Sequence, residues 1–213
     1  MKKFSPWYFL LLVPFALAIL VVFFEESFYL SEKAVFSALR VLSPAFDIPF
    51  TILTEFGSAV GVISVTAIIL IVTLITKKHV LDFGLPVAIT SIVSRIINIT
   101  LKNLIDRPRP DFKVLQAGES SFPSGHSQNN MALYLSILLV ALLIVTVPKW
   151  RTLLKITLIA LPILIGITRI YFGVHYISDV VAGLAMGAFV ALVTNYVYFR
   201  IYYRTKEKKN AKT

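Results

Sequence analysis

The sequence predicts an all-α membrane protein, with six transmembrane helices and a short interfacial helix between the first and the second. Hydrophobic residues make up 57% of the chain and charged residues only 15%, whereas a soluble domain has roughly 25% charged residues. Uncharged apolar runs occupy residues 4–24, 56–76, 127–148 and 180–199. Each run reaches about 20 residues, the length that crosses the hydrocarbon core of a bilayer. Two apolar segments interrupted by polar side chains, residues 83–104 and 150–170, complete the six.

The rest of the composition narrows the class of protein. No repeat or low-complexity linker divides the chain, so residues 1–213 are expected to form one integral membrane domain. The absence of cysteine excludes disulfides and thiol chemistry. A net charge of +10 would suggest nucleic-acid binding in a soluble protein. Here the charge lies mostly at helix ends and in residues 200–212, which is typical of anchoring beside anionic lipid. We therefore expect membrane lipids, and no nucleic acid, as partners.

The first two elements are a membrane helix and an amphipathic segment. Lys2 and Lys3 precede the first run, which is too long for a signal peptide and has no small-residue cleavage site after it, so we expect a retained helix. Residues 25–47 carry an apolar stripe at helical spacing, and Glu32 lies off that stripe among other charged residues. This pattern favours a short helix in the outer interface, with an ordered loop as the alternative. The stripe consists of Phe28, Val35, Leu39, Leu42 and Phe46.

The remaining spans are separated by short links. The second span is predicted to start near Ile52, and the basic residues 77–79 close it. The polar link 106–123 contains three prolines and follows the third span. The fourth span begins at Ser124, and a basic turn at residues 148–151 joins it to the fifth.

Basic residues orient these helices. Those at residues 77–78, 149–155 and 200–212 lie on one side, which the positive-inside rule assigns to the cytoplasm. We therefore expect a plasma-membrane protein with both termini inside the cell. The links 25–50, 106–123 and 169–175 would then face outside. The basic residues that lie on the outer side, against this rule, include Lys102, Arg107, Arg109 and Arg169. Charge at those positions indicates a binding role.

The segment 168–179 combines an arginine, a histidine and an aspartate. His175 and Asp179 are four apart, so in a helix they share one face, and the carboxylate can accept a hydrogen bond from one ring nitrogen. That bond would fix the tautomer and leave the other nitrogen free as a nucleophile. Arg169 can bind an anion in a forked geometry. Taken alone, a structural His–Asp pair is the alternative.

A cluster of cations closes the third span. Lys102 and Arg109 are seven apart, and prolines at positions 108 and 110 hold the arginines of this region in an extended segment. Several cations close together at the membrane surface suit a phosphate. Anchoring to anionic headgroups is the alternative interpretation.

The fourth span opens with Pro123, Ser124, Gly125 and His126. Ser124 is a favourable N-cap, and the free amides of the first turn, together with the helix dipole, form an anion site. Gly125 lets the backbone approach a ligand closely. His126 lies where it could protonate a leaving group. A capped helix start with an incidental histidine is the alternative.

Together these three motifs resemble the signature of the type 2 phosphatidic acid phosphatase superfamily: Lys-x6-Arg-Pro, Pro-Ser-Gly-His and Ser-Arg-x5-His-x3-Asp. The chain matches them at residues 102–110, 123–126 and 168–179. Thr168 stands where the family usually has Ser, and both residues offer a hydroxyl. The six-span layout is also similar, so the resemblance extends over nearly the whole chain.

The resemblance implies a role for each matching residue. His175 would attack phosphorus and form a phosphohistidine, Asp179 would orient it, and His126 would protonate the leaving group. The residues that would bind the phosphoryl oxygens are Lys102, Arg109, Ser124, Gly125 and Arg169. No metal or other cofactor is implied. This agrees with the sequence, which supplies cations for the oxygens and lacks a carboxylate cluster for Mg²⁺.

The implied activity is that of a metal-independent lipid phosphatase whose substrate enters laterally from the membrane. Phosphatidylglycerol phosphate is the favoured substrate, and undecaprenyl pyrophosphate, phosphatidic acid and diacylglycerol pyrophosphate are further candidates. Hydrolysis of undecaprenyl pyrophosphate would place the protein in recycling of the cell-wall carrier lipid. A phosphotransferase or a haloperoxidase-like protein on the same scaffold remains an alternative. A non-catalytic channel or lipid-binding protein is a more distant one.

Two further features lie within the spans. Arg95, Asn98 and Lys102 share one helix face, with Arg95 about 10 Å below Lys102. A charge at that depth needs a partner or a water-filled cavity. Glu55 is the candidate partner, so a structural ion pair and a wall of the substrate cavity are both open. Separately, glycines at positions 183 and 187 predict a close helix contact in the last span.

Overall fold

The structure is a computed structural model that describes residues 6–118 and 120–210, without the side chains of residues 7, 8 and 207–210. All regular elements in this part of the chain are helical, so the predicted all-α fold is confirmed. A 3₁₀ turn, Pro6–Leu11, leads into the first helix, and a π-helical turn, Val80–Gly84, leads into the fifth. The α-helices are α1 (Leu12–Phe23), α2 (Glu25–Arg40), α3 (Asp47–Phe56), α4 (Ala59–Thr76), α5 (Leu85–Ile105), α6 (Gly125–Ile144), α7 (Pro148–Tyr171) and α8 (Ile177–Asn210).

Five helices in the described ranges are long and apolar enough to cross a membrane, namely α4, α5 with its π-helical turn, α6, α7 and α8. The helix α1 reaches that length only together with α2, and the two are bent by 109° at Phe24. Counting α1 gives the six predicted spans. Residues 4 and 5 of the predicted first span, together with Lys2 and Lys3, lie outside the described residues.

The second span begins later than predicted. Residues 52–56 belong to α3, which ends at Phe56 with Gly57 as its C-cap, and α4 starts after Ser58. Ser58 caps α4, because its side chain accepts a hydrogen bond from the Gly61 N–H at 3.2 Å. A side chain at Gly57 would lie 2.4 Å from Ile165 of α7. This close approach brings the α3–α4 corner against the bundle.

The helix α2 confirms the predicted amphipathic helix, but the face that packs on the protein differs from the predicted apolar stripe. Four of the stripe residues are exposed large hydrophobic side chains available to lipid: Phe28, Val35, Leu42 and Phe46. The protein-facing side carries Tyr29, whose hydroxyl donates to Asp111, and Phe36, whose ring packs on Phe112 at 4.7 Å. Glu32, which lies off the stripe, is buried on this side, at 7% exposure.

The helices α6 and α8 form the centre of the bundle. A side chain at Gly183 would lie 2.6 Å from the Ser124 carbonyl oxygen, and one at Gly187 would lie 2.3 Å from the Gln128 carbonyl oxygen. The predicted close helix contact is therefore confirmed, because the α8 backbone lies directly on α6. The Ser124 N–H also donates to the Asp179 carbonyl oxygen at 3.0 Å. The starts of these two helices are thus fixed relative to each other.

Candidate active site

The three sequence motifs meet at one end of the bundle. The helices α5 and α7 end there, and α6 and α8 begin there. Most of the motif side chains line one cavity of about 360 Å³, a size within the usual range of small-molecule sites. The predicted site residues in its wall are Lys102, Arg109, Gly125, His126, Arg169 and His175. Ser124 and Asp179 are fully buried behind this wall.

His175 and Asp179 are paired, although His175 precedes the helix. The helix α8 starts at Ile177, so the two side chains meet across its first turn. Asp179 Oδ2 accepts a hydrogen bond from the Tyr176 N–H at 3.0 Å and lies 3.4 Å from His175 Nδ1. On the other side of the ring, Arg109 Nη1 lies 3.2 Å from His175 Nε2. Because a guanidinium only donates, Nε2 must accept and Nδ1 carries the proton toward Asp179.

The surroundings keep this imidazole neutral. Burial holds the pKa of His175 well below its ordinary value, and the positive charges of Arg109, Arg169 and Lys102 lower that pKa further. A neutral ring with its proton on Nδ1 leaves a lone pair on Nε2, the form a histidine nucleophile requires.

The predicted phosphate-binding cations are held in place by polar partners. Lys102 Nζ donates to the Ser120 carbonyl oxygen at 2.7 Å. Arg109 donates to the carbonyl oxygens of Gly118 and Val174. These bonds use only part of the donor capacity of each cation, so further N–H groups remain available to an anion in the cavity.

Arg169 is the clearest example of a cation with unused hydrogen-bond donors. It is 7% exposed, and its Nη1 donates to Thr54 Oγ1 at 2.6 Å. Its buried Nε has no hydrogen-bond partner within the described residues. Thr54 is a site residue that sequence reasoning missed, since it lies 115 positions from Arg169. Thr168, the neighbour of Arg169 in the motif, donates its hydroxyl to the Ile165 carbonyl oxygen at 2.6 Å.

At the start of α6, Ser124 caps the helix, whereas Gly125 and His126 line the cavity. The Ser124 hydroxyl caps the helix, because it accepts from the Ser127 N–H at 3.4 Å and bonds the Ser127 hydroxyl at 3.0 Å. Gly125 and His126 follow it and line the cavity. A side chain at Gly125 would lie 2.9 Å from Asn98 Oδ1, so any larger residue would require Asn98 to move. The N–H groups of Gly125 and His126 have no intrahelical acceptor, and they are therefore available to an anion.

The family described as the PAP2 superfamily matches residues 79–203. The chain belongs to the PAP2 superfamily. It is 39% identical over 97 residues to phosphatidylglycerophosphatase B of Bacillus subtilis, covering 44% of this chain and 47% of that protein. The chain thus spans about half the length of that relative. It is also 29% identical over 150 residues to undecaprenyl-diphosphatase of Sulfolobus acidocaldarius, covering 67% of this chain and 66% of that protein.

A solved structure extends the similarity to nearly the whole PAP2 chain. The crystal structure of the transmembrane PAP2-type phosphatidylglycerolphosphate phosphatase from Bacillus subtilis superposes with a TM-score of 0.78 at 25% sequence identity, covering 91% of this chain and 98% of that one. The resemblance inferred from the three motifs is therefore confirmed, and so is the helical membrane architecture.

Arg107 plays a part in this PAP2 site that the sequence did not indicate. It was grouped with the outer cations, yet it is absent from the cavity wall and its side chain is 1% exposed. Its Nη1 donates to Asp179 Oδ1 and to Ser178 Oγ, both at 2.8 Å. The guanidinium also lies 3.8 Å from the centre of the Tyr176 ring. Arg107 therefore holds the aspartate that faces His175.

Glu32 of α2 binds the N-terminus of α8, the helix that carries Asp179. Its carboxylate accepts the N–H of Ile177 at 2.6 Å, and both the N–H and the hydroxyl of Ser178 at 3.2 and 2.7 Å. These are free donors at a helix N-terminus, where a negative charge is favourable. Glu32 lies off the apolar stripe, as the sequence predicted, but it is buried, because the α8 N-terminus supplies hydrogen-bond donors for its carboxylate.

The sequence left two alternatives for Arg95 and Glu55, a structural ion pair or a wall of the substrate cavity, and the geometry distinguishes them. No ion pair joins them among the salt bridges of the described residues, and both line the PAP2 cavity. The geometry therefore favours the cavity wall over the structural ion pair.

Proposed function

We propose that this PAP2 protein is an integral membrane lipid phosphatase that hydrolyses a terminal phosphate through a phosphohistidine intermediate. The observation that carries the proposal is the arrangement of His175, whose free Nε2 faces a cavity lined by cations while Asp179 lies at its other ring nitrogen. Phosphatidylglycerol phosphate is the proposed substrate. The relative named undecaprenyl-diphosphatase favours undecaprenyl pyrophosphate as the second candidate.

In the proposed complex, the phosphoryl oxygens bind to Lys102, Arg109, Arg169 and the first N–H groups of α6 at Gly125. The transferred phosphoryl group spreads negative charge over its oxygens, and donors already in place stabilise that charge without rearranging. Ser124 contributes indirectly, because its hydroxyl fixes the first turn of α6.

Transfer takes place in two steps. His175 Nε2 attacks phosphorus, and the bond from phosphorus to the lipid oxygen breaks with its electron pair going to that oxygen, which His126 protonates. Asp179 stabilises the positive charge that develops on the His175 ring. Water then attacks the phosphohistidine and gives a proton to His126. The P–N bond breaks, inorganic phosphate leaves, and both histidines return to their starting states.

Lateral entry of the lipid is supported by the composition of the cavity wall. Ala59 and Val62, in the first turn of the spanning helix α4, give the cavity wall apolar surface, and Asn98 of α5 also lines it. The phosphate can reach the cations while the acyl chains stay in lipid.

The activity test uses the purified protein in detergent with phosphatidylglycerol phosphate, undecaprenyl pyrophosphate, phosphatidic acid and glycerol phosphate. We expect phosphate release without an added alcohol acceptor, in excess chelator, and a kcat/KM for the best lipid well above that for glycerol phosphate. Release of phosphate from no lipid, a preference for glycerol phosphate, or activity that chelator removes and Mg²⁺ restores would contradict the proposal. A preference for undecaprenyl pyrophosphate would keep the chemistry and change the role to carrier-lipid recycling.

We also propose that the site faces the outside of the plasma membrane, with both termini in the cytoplasm. The support is that basic residues cluster at the opposite end of the bundle, including Lys77 and Arg204. The cysteine-free chain permits a simple labelling test on intact cells. Gly118→Cys should react with a membrane-impermeant thiol reagent, since a side chain there meets nothing within 4 Å, and Arg204→Cys should be protected until the cells are opened. The opposite pattern would reverse the topology.

A further inference from the structure

Arg95 is a charged residue in the PAP2 cavity that the proposed chemistry does not use. It lies in the middle of α5, is exposed, and lines the cavity. Over the described part of the chain, its side chain appears in no hydrogen bond and no ion pair. It precedes Lys102 by two helical turns, which places it about 10 Å deeper along the α5 axis.

The surroundings of Arg95 leave its charge unsatisfied. A charge within a membrane-spanning helix is costly unless it has a partner or borders a water-filled space. The same cavity wall also carries the neutral polar side chains of Asn98 and Asn129. The carboxylate among the lining residues, Glu55, forms no ion pair with it within that wall. An anion in the lower part of the cavity would supply the missing partner.

We propose that Arg95 binds a second phosphate of the lipid substrate, deeper in the cavity than the phosphate that is hydrolysed. The inference rests on the proposed lipid phosphatase function and names its substrate class. That class is a phospholipid in which a short polyol separates a terminal phosphomonoester from a phosphodiester, as in phosphatidylglycerol phosphate. The terminal group occupies the upper cations, the diester lies at Arg95, and the acyl chains leave past Ala59 and Val62.

The spacing of the cations excludes two other classes from full use of this subsite. Phosphatidic acid carries one phosphate, which the upper cluster already binds. The two phosphorus atoms of a diphosphate share a bridging oxygen, so both stay near Lys102, Arg109 and Arg169. A cation two turns deeper on α5 therefore gains a partner mainly when a spacer separates the phosphates.

The test compares Arg95→Gln and Arg95→Lys with the wild type on phosphatidylglycerol phosphate, phosphatidic acid and undecaprenyl pyrophosphate in mixed micelles. Loss of a charged hydrogen bond should lower kcat/KM for phosphatidylglycerol phosphate by about tenfold or more, mainly through KM. Arg95→Lys should retain part of the affinity. Activity on phosphatidic acid should change by less than about threefold, and this also reports that the variant is folded. Arg204→Gln, at the opposite end of α8, is the matched control and should leave all three activities unchanged.

Three outcomes would overturn the inference. An equal loss on phosphatidic acid and phosphatidylglycerol phosphate would assign Arg95 to the hydrolysed phosphate or to structure. A loss confined to undecaprenyl pyrophosphate would assign it to a diphosphate. No change on any lipid would leave it without a binding role. By contrast, a wild-type protein that hydrolyses none of these lipids would refute the proposed phosphatase function itself, a result distinguishable from all three.

Discussion

His175→Ala is expected to abolish turnover and to remove the phosphorylated form of the protein. The substitution deletes the nitrogen that attacks phosphorus. A loss on the order of 10⁴-fold or more in kcat is expected for removal of a covalent nucleophile. The measurement is rapid acid-free quenching with a lipid labelled in its terminal phosphate, followed by detection of a protein-bound phosphate that is stable in alkali and labile in acid.

His126→Ala is the matched comparison for this prediction. It lines the same cavity and leaves the nucleophile in place, so it should still form the phosphoprotein from an aryl phosphate whose leaving group needs no proton. On a lipid ester the same variant should be slow. A labelled phosphoprotein that persists in His175→Ala would contradict the assignment of the nucleophile.

Arg107→Met is expected to cause the second large loss, without touching the phosphate. The methionine fills similar space but leaves the buried Asp179 without its cation, and breaking a buried ion pair of this kind costs about 3–5 kcal/mol. The carboxylate then loses the bond that fixes Oδ1 at 2.8 Å, and with it the geometry that places Oδ2 beside His175. We expect kcat to fall by about 10²–10³-fold, with a small change in KM and a lower unfolding temperature in detergent.

Two further variants separate this positioning role from a phosphate-binding one. Arg107→Lys keeps the charge but loses the planar guanidinium, whose Nη1 donates to both Ser178 and Asp179, so it should retain intermediate activity. Arg40→Met is the control. It removes an outer arginine whose ion pair with Asp47 is partly exposed, and because pairs of that kind contribute about 0–1 kcal/mol, it should leave kcat nearly unchanged. An effect of Arg107→Met confined to KM would mean that Arg107 binds the substrate.

The features that the sequence predicted correctly depend on neighbours within one or two helical turns. The apolar runs of about 20 residues identify the spans because a bilayer imposes a minimum length on a helix. The α6 start follows from Ser124, whose hydroxyl caps the helix three residues away from its donor. The approach of His175 to Asp179 was expected from their spacing, although the geometry is that of a helix N-terminus and Tyr176 shares the carboxylate.

Motif spacing also identified which residues would meet, because the three segments all fall at helix ends on one side of the bundle. It did not separate their tasks. Arg107 and Arg109 flank one proline and look equivalent in the sequence, yet one binds Asp179 and the other lies against His175 Nε2. Ser124 was predicted both as the N-cap of α6 and as a phosphate ligand, and its hydroxyl caps α6. The difference arises because the neighbouring helices decide which way each side chain faces.

The contacts that only the tertiary structure decided join segments far apart in the chain. Glu32 caps α8 across 145 residues, and Thr54 accepts from Arg169 across 115. Both belong to the α2–α3 region, where the sequence predicted an amphipathic interfacial helix within residues 25–47 and the start of the second span near Ile52. The sequence determined the membrane-spanning helices and the chemical groups at the helix ends that form the site. The packing of α2 and α3 on the bundle determined their partners, because a buried helix terminus or guanidinium selects whichever polar group the fold brings within hydrogen-bonding distance.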